Sequence, residues 1–166
     1  MSTELEFLAP PFGAEDQAAL LALNNQYAEE LSFKTADTFS ALLQAATHVR
    51  ALPCGGALLV AFDETATYDN PNFRWLKTRF ERFYYIDRVV VSSLYRGRGV
   101  ARLLYKDLQR RAVLENRQRL VCEINSTPPN PASDEFHQRL GFEVIGSQEL
   151  VGQGKTVRYW AKKLVL

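Results

Sequence analysis

Four consecutive residues, Arg96-Gly97-Arg98-Gly99, separate an apolar run that ends at Val91 from a helix-forming run that starts at Val100. Glycine weakens any helix it interrupts, and two arginines one residue apart repel each other. Both costs are offset if the stretch is a strand-to-helix turn that holds a polyanion. The first turn of a helix has four amide N–H groups without internal partners, and the helix dipole adds partial positive charge there. Glycines let an anion approach those amides, and Arg96 and Arg98 add full charges. Together these features make a phosphate or pyrophosphate cradle. The stretch is not a Walker sequence, because no Gly-Lys-Ser/Thr follows, and it is not G-x-G-x-x-G, because the third position is Arg102. The competing reading is a basic helix cap.

Two carboxylates stand in apolar strand-like runs: Asp87 in "FYYIDRVVVSS" and Glu123 in "RLVCEIN". A charged side chain is costly to bury unpaired. Each therefore faces a polar cleft or has a cationic partner, such as an arginine of residues 74–82. Arg88 points to the opposite strand face from Asp87 and is not its cross-face partner.

The elements that must position these groups are readable from periodicity. "LEFLA" (5–9) alternates and predicts a first strand, stopped by Pro10, Pro11 and Gly13. Leu20, Leu23, Tyr27 and Leu31 recur at three- and four-residue steps, predicting a helix from Glu15 to Leu31. A second helix is expected over Ala36–Ala46. "THVRAL" and "GALLVAF" read as strands around the "PCGG" turn. Residues 63–82 form an ordered insertion, or lid, with a short helix starting at Asn70-Pro71, since proline suits a first helical turn. The 83–93 run is a buried strand. Ala101, Leu104, Leu108 and Ala112 share one face of a helix over Val100–Glu115. A strand over 119–125, a short helix over Ala132–Leu140 ended by Gly141, and a hairpin around "VGQGK" complete the chain. The order predicts one mixed α/β domain over residues 1–166. Its 83–93 strand, helix and 119–125 strand form a parallel unit with a right-handed crossover.

This arrangement resembles the GNAT superfamily of N-acetyltransferases. Their acetyl-CoA signature, Gln/Arg-x-x-Gly-x-Gly/Ala, matches Arg96-Gly97-Arg98-Gly99-Val100-Ala101. An Asn followed by a short helix ending in Gly-Phe is matched by "NPASDEFHQRLGF", Asn130 to Phe142. The resemblance covers nearly the whole chain in element order and is strongest over 83–146. It implies a central mixed sheet of about seven strands, two of them parallel and splayed, with flanking helices. It implies an acyl-CoA-dependent N-acyltransferase whose donor substrate is acetyl-CoA, held in the gap where 83–93 and 119–125 splay. The pyrophosphate would meet the amides of Arg98 to Ala101. The pantetheine would pair with the backbone of Val89, Val90 and Val91. Asn130 and Ser133 would lie near the thiol end. Many family members place a tyrosine seven residues after that Asn as the acid that protonates the leaving thiolate; here the position is His137. A histidine can fill that role at neutral pH, or it can simply pack the short helix. An amine attacks a thioester only when neutral, so a base is needed, and Glu123 and Asp87 are the candidates.

The acceptor side is less legible. Asn24, Asn25 and Tyr27 sit on the helix that borders the acceptor cleft in the family, with core packing the competing reading for Tyr27. Phe73, Trp75, Tyr84 and Tyr85 line an acceptor pocket or are plain core.

Composition sets further bounds. Residues 1–33 contain six acidic residues and no Lys or Arg, whereas residues 96–119 contain eight basic residues and two acidic ones. The acidic third favours a cationic amine as acceptor, through steering. The basic helix alternatively suggests nucleic acid, but that leaves the glycine turn and the Asn-to-Gly-Phe spacing unexplained. The expected partner is a small-molecule or peptide amine, without nucleic acid or membrane, with a homodimer possible. No apolar run approaches the roughly 20 residues of a membrane span, and the first ten residues lack a signal-peptide pattern. Cys54 and Cys122 have no metal-type spacing and read as reduced core or near-core residues of a cytoplasmic protein. No metal site is expected from two histidines without a Cys/His cluster. Rival functions are transfer from another acyl-CoA, such as succinyl- or propionyl-CoA, and a non-catalytic CoA-binding or regulatory module.

Overall fold

The computed structural model describes residues 5–166. The helical N-terminal region is broken once. Helix α1 (Ala14–Gln26) stops at Tyr27, whose φ of −114° and ψ of 36° leave the helical region, and α2 (Ala28–Leu31) follows. The single helix expected over 15–31 is therefore two. Helix α3 (Ala36–Ala45) is fixed by a reciprocal cap, in which the Thr38 amide donates to Thr35 Oγ1 and the Thr35 amide donates to Thr38 Oγ1.

Six strands make one mixed sheet in a single α/β domain: β1 (His48–Leu52), β2 (Ala57–Asp63), β3 (Phe83–Val91), β4 (Arg119–Thr127), β5 (Glu143–Leu150) and β6 (Lys155–Lys163), ordered β1-β2-β3-β4-β6-β5. The expectation of seven strands needs correcting. Of the 5–9 run, only Leu8 pairs, through one antiparallel bridge to Ala51. Pro10 and Pro11 supply no amide donors, so the ladder cannot extend past them. Among the described residues, no helix is long and apolar enough to cross a membrane.

By its contacts the chain divides into two compact units, residues 1–62 with 88–108 and residues 63–87 with 109–166. In the first, β1 and β2 pair antiparallel, and all seven residues of β2 are buried, the mark of a strand covered on both faces. Helix α1 packs on the 3-10 turn Pro53–Gly55. There Gly55 adopts φ +69°, and a Cβ would stand 2.8 Å from the Ala19 carbonyl oxygen. Helix α5 (Val100–Leu114) starts in this unit. It is pinned to β1 through Asp107, which lies 3.1 Å from the buried His48 Nε2 and 3.2 Å from Arg50 Nε. Cys54, expected near the core, is exposed; Cys122 is buried, and both thiols are free.

In the second unit, β3 and β4 pair in parallel from Phe83↔Arg119 to Ile86↔Cys122, and β4 pairs antiparallel with β6. Side chains alternate across a strand, so Tyr85, Asp87, Val121, Glu123 and Tyr159 share one sheet face. Helix α4 (Pro71–Lys77) lies on it. Asn70 caps α4, its Oδ1 accepting from the Asn72 and Phe73 amides, with Pro71 in the first turn as expected. Phe73 packs on Tyr85 at 5.8 Å and on Phe83 at 6.0 Å. Trp75 stacks on Tyr159 at 3.9 Å and 12°, and the Arg79 guanidinium lies 3.6 Å over the Trp75 ring. The opposite face meets the end of α5, where Tyr84 donates to Glu115 and Lys162 to Gln109.

Gly146 belongs to this packing. A Cβ there would stand 2.6 Å from Trp75 Cη2, inside van der Waals contact. We expect Gly146→Ala to cost about 1–3 kcal/mol through overpacking, measured by urea unfolding. In a Trp75→Leu background the same substitution should cost markedly less, because the obstructing ring edge is gone.

Candidate active site

The Arg96–Gly99 turn is the clearest piece of the site. Gly97 and Gly99 have φ of +75° and +73°, the left-handed region that other residues enter at a cost. Nothing lies within 4 Å of where a Cβ would sit on either, so the turn is open on its outer side. Both arginines are exposed. Arg96 Nε donates to the Val91 carbonyl at 3.2 Å, and its guanidinium lies 4.8 Å over the Tyr27 ring. Arg98 lies 5.6 Å from the Tyr95 ring. The Leu103 amide donates to the Gly99 carbonyl at 3.0 Å, so helical bonding begins at Gly99. Val100 is buried and Ala101 half-buried at the start of a 15-residue helix. The earlier N–H groups and their dipole therefore aim at the open turn. The glycines are required by the backbone itself, a reason the sequence reading did not include. Along β3, Val89 and Val91 are half-buried and Val90 is buried.

Asn24 and Asn25 are structural. The buried Asn24 accepts from Arg88 at 2.7 Å and donates to the Ser32 carbonyl, while Asn25 pairs with both backbone groups of Lys34. These bonds give the buried Arg88 guanidinium an acceptor at Asn24 and shape the α1–α3 connection. Tyr27 is half-buried under Arg96 rather than in the core.

In the second unit the two carboxylates fall on one face. Asp87 and Glu123 each follow the last parallel pair, Ile86↔Cys122, by one residue, and both are half-buried. Tyr68 donates to Asp87 Oδ1 at 2.6 Å. Burial, with the Glu123 and Asp87 charges close by, pushes the Tyr85 phenol well above its ordinary range. Burial and Glu123 likewise push Tyr159 up, and burial and Glu123 push the Cys122 thiol up. These phenols stay protonated at working pH. Tyr159 Oη lies 2.8 Å from both the Asn72 and Gln148 side-chain amide groups. Its one proton is directed at their carbonyl oxygens, Asn72 Oδ1 and Gln148 Oε1, which can only accept. Tyr68 and Tyr159 were missed in the sequence. Tyr68 lies in an irregular segment without periodicity, and Tyr159 is placed only by the β4–β6 register, Glu123↔Tyr159.

Helix α6 (Pro131–Arg139) carries the remaining candidates. Asn130 is its cap, Oδ1 accepting from the Ser133 amide at 3.4 Å. His137 is buried between Phe136 and Phe142, both edge-on at 87°. Its Nδ1 lies 2.8 Å from the Ser133 carbonyl, which can only accept, so Nδ1 carries a proton and Nε2 is the nitrogen that titrates. Burial lowers the His137 pKa from its usual value, so at neutral pH the ring is uncharged. Gly141, at φ +91°, ends the helix as expected. Among the described residues no group of three His, Cys, Asp or Glu side chains is placed to hold a metal.

A family model for the GNAT acetyltransferases matches residues 42–142, more than half the chain. This chain belongs to the GNAT acetyltransferase family. The match contains the Arg96–Ala101 signature, both carboxylates and the Asn130–Phe142 helix. Solved structures agree in fold. Ard1 from Thermoplasma volcanium is 12% identical with a TM-score of 0.73, covering 97% of this chain and 98% of that one. The ribosomal-protein-alanine N-acetyltransferase from Brucella melitensis is 20% identical with a TM-score of 0.68, covering 96% and 100%. The NatC complex bound to Gag peptide and CoA is 16% identical with a TM-score of 0.67, covering 96% and 99%. No curated protein matches this GNAT chain.

The His137 environment has a pH consequence. A histidine whose folded pKa is depressed binds its proton later in the native state than in the unfolded chain. Its stabilising contribution is therefore complete above the unfolded value, about 6.5, and is lost as pH falls toward the folded value. Unfolding free energies between pH 7.5 and 5 should show this decline, and His137→Phe should flatten it.

Proposed function

We propose that this GNAT chain acts as one acyltransferase domain that moves the acetyl group of acetyl-CoA to a primary amine, by direct attack in a ternary complex. The observation that carries the reading is the Arg96–Gly99 turn. It combines two glycines with left-handed φ, open space outside both, two exposed arginines and the start of a 15-residue helix. That is the set of features a pyrophosphate needs. The amides of Arg98 to Ala101 receive the pyrophosphate, with Arg96 and Arg98 neutralising its charge. The backbone of Val89, Val90 and Val91 pairs with the pantetheine. Asn130 and Ser133 serve the thiol end of the donor.

The chemistry assigned to the second unit follows from its groups. The acceptor amine loses a proton to a carboxylate, and Glu123 and Asp87 are the carboxylates that share a face. The neutral nitrogen attacks the thioester carbonyl carbon, and the C–S bond breaks as CoA leaves as thiolate. His137 Nε2, unprotonated at rest, takes the proton that the nitrogen sheds on acylation and passes it to the thiolate, its lowered pKa making the imidazolium a ready donor. Nearby carboxylates suit a cationic amine, whether a small molecule or a peptide, and the reading places the protein in the cytoplasm. Another acyl-CoA would use the same turn, and a comparison of acetyl-, propionyl- and succinyl-CoA decides between them.

Calorimetric titration of the full chain with acetyl-CoA and with CoA is the deciding test. Micromolar affinity for both is expected, and Gly99→Asp should abolish it by putting a carboxylate where the pyrophosphate lies. A folded protein that binds neither overturns the cofactor assignment and moves the basic helix toward another anionic partner. With a reactive amine in hand, Glu123→Gln should slow turnover by about 10²-fold near neutral pH. The deficit should shrink at alkaline pH, where the amine is already neutral. His137→Phe should lower turnover and leave acetyl-CoA affinity unchanged. Thiol release from CoA reads both.

A further inference from the structure

The segment between β2 and α4 has a feature that the donor site does not explain. Tyr68 stands in the irregular stretch 64–70, yet its hydroxyl makes a 2.6 Å bond to the Asp87 carboxylate. The stretch is anchored at both ends. At its start, Asp63 Oδ1 accepts from the Thr65 amide at 2.9 Å and from the Thr65 hydroxyl at 2.6 Å. Asp63 Oδ2 is itself held by Arg117 at 3.0 Å. That guanidinium also grips Glu64 at 3.2 Å and Glu115 at 2.8 Å, so the segment begins from a multiply bonded post. At its end, Asn70 caps α4, and the Tyr68 ring leans on Phe73 at 6.0 Å. The phenol is aimed by four fixed points, in a place where a loop tyrosine would otherwise swing into solvent.

The target of that aim is informative. Asp87 shares its sheet face with Glu123, Tyr85 and Tyr159. The buried Tyr85 phenol feels the charges of Glu123 and Asp87 and also the Tyr68 hydroxyl. Tyr68 thus touches the polar cluster from outside the sheet, on a carboxylate that lies beside the other base candidate. A short bond from a neutral donor to a carboxylate is among the stronger hydrogen bonds in proteins and fixes the orientation of the acceptor.

We infer that Tyr68 is a positioning residue of the acetyl transfer: its hydroxyl holds the Asp87 carboxylate in the orientation that lets the Asp87–Glu123 pair receive the acceptor ammonium. The inference rests on the reading of Asp87 and Glu123 as the acceptor-side carboxylates. It assigns the 64–70 stretch, with no periodicity of its own, to the reaction. It also gives the pair unequal roles. Asp87, tethered by Tyr68, orients and attracts the cation, and Glu123 takes the proton.

Two measurements on the full-length protein test this. The first is carbodiimide-driven coupling of glycine ethyl ester to carboxyl groups, followed by peptide mass spectrometry, with exposed Glu143 as internal reference. Tyr68→Phe keeps the ring on Phe73 and removes only the donor, so labelling at Asp87 should rise several-fold against Glu143. Tyr68→Leu is the second variant should Phe fail to fold. The second measurement is steady-state thiol release from acetyl-CoA with a panel of primary amines. Tyr68→Phe should lower kcat roughly tenfold, the scale of a hydrogen bond to a charged group, with acetyl-CoA affinity unchanged. In an Asp87→Asn background the same substitution should add nothing, since the group it positions has been altered. Unchanged Asp87 labelling, unchanged kcat, or full additivity with Asp87→Asn overturns the inference while leaving the transferase reading intact. A wild-type protein that binds no acetyl-CoA overturns the transferase reading, and the positioning role falls with it.

Discussion

An apolar sheet face that carries two carboxylates must supply them with partners, and much of the second unit can be understood from that requirement. Asp87 and Glu123 stand among Tyr85, Val121 and Tyr159, on a face whose other positions favour burial. A carboxylate there is costly unless hydrogen-bonded. Tyr68 meets the need at Asp87 with little loss of apolar contact, because it brings a ring that packs on Phe73 and one donor for the charge. Tyr68 donates a hydrogen bond to Asp87, while burial, and after it the charge of Glu123, keeps Tyr85 and Tyr159 protonated. The same rings then need a covering layer, and α4 supplies it through Phe73 and Trp75. Gly146 is the concession on β5 that lets the indole lie flat.

The layer is held by charge at one end and by aromatic contact at the other. Arg117 joins Asp63, Glu64 and Glu115 in one half-buried network, and Glu115 also accepts from Tyr84 and Arg111. Such a network is worth more as a fixed geometry than as a sum of pairs. Its gain in Coulomb energy is set against desolvation of each group, whereas the angle at which 64–70 leaves the sheet is set by all of its bonds at once. Burial raises Tyr84 to about 12, so it remains a donor to Glu115 throughout. At the other end, Arg79, Trp75 and Tyr159 stack in sequence, with the buried Tyr159 and half-buried Trp75 rings contributing area and the guanidinium capping the exposed side. A segment so fastened is a wall rather than a free loop, and what it presents to the carboxylates is a matter of design in the sequence.

What could be read from the sequence and what could not divide along physical lines. The elements whose signals are local were legible. Helix α5 followed from its apolar stripe, α4 from Asn70-Pro71, the end of α6 from Gly141, and the turn at Arg96–Gly99 from glycine chemistry. Family membership followed from that turn and the Asn130–Phe142 helix together, since two spaced motifs in one topology are far more specific than either. Elements that depend on distant partners were not legible. The 5–9 run alternates as a strand should, but only Leu8 finds a partner, at Ala51, and Pro10 and Pro11 stop the pairing from extending past the run. The helix at 15–31 breaks at Tyr27 although its period continues. Asn24 looked like an acceptor-side residue, and it is the partner of a buried arginine 64 positions away. Cys54 looked near-core by type, yet it sits exposed in a tight turn at φ +57°, a position set by backbone shape. His137 was open to two readings, an acid or a packing residue of the short helix, and it lies buried between two rings, because Phe142 returns after the Gly141 turn to cover it.

That last case shows how position alters chemistry without altering residue type. An exposed histidine on α6 would be an ordinary acid near neutrality. Enclosed by Phe136 and Phe142, and with Nδ1 fixed on the Ser133 carbonyl, it has one tautomer and one titrating nitrogen. The enclosure makes the neutral form the resting state and turns any proton carried on Nε2 into one readily given up. Asp87 is treated differently: it accepts a hydrogen bond from Tyr68 and shares its sheet face with Glu123. The two kinds of environment lie within one unit built on β3, β4 and β6. On the proposed reading, a proton-releasing His137 is kept distinct from the Asp87–Glu123 pair, the separation that acyl transfer from a thioester to an amine requires.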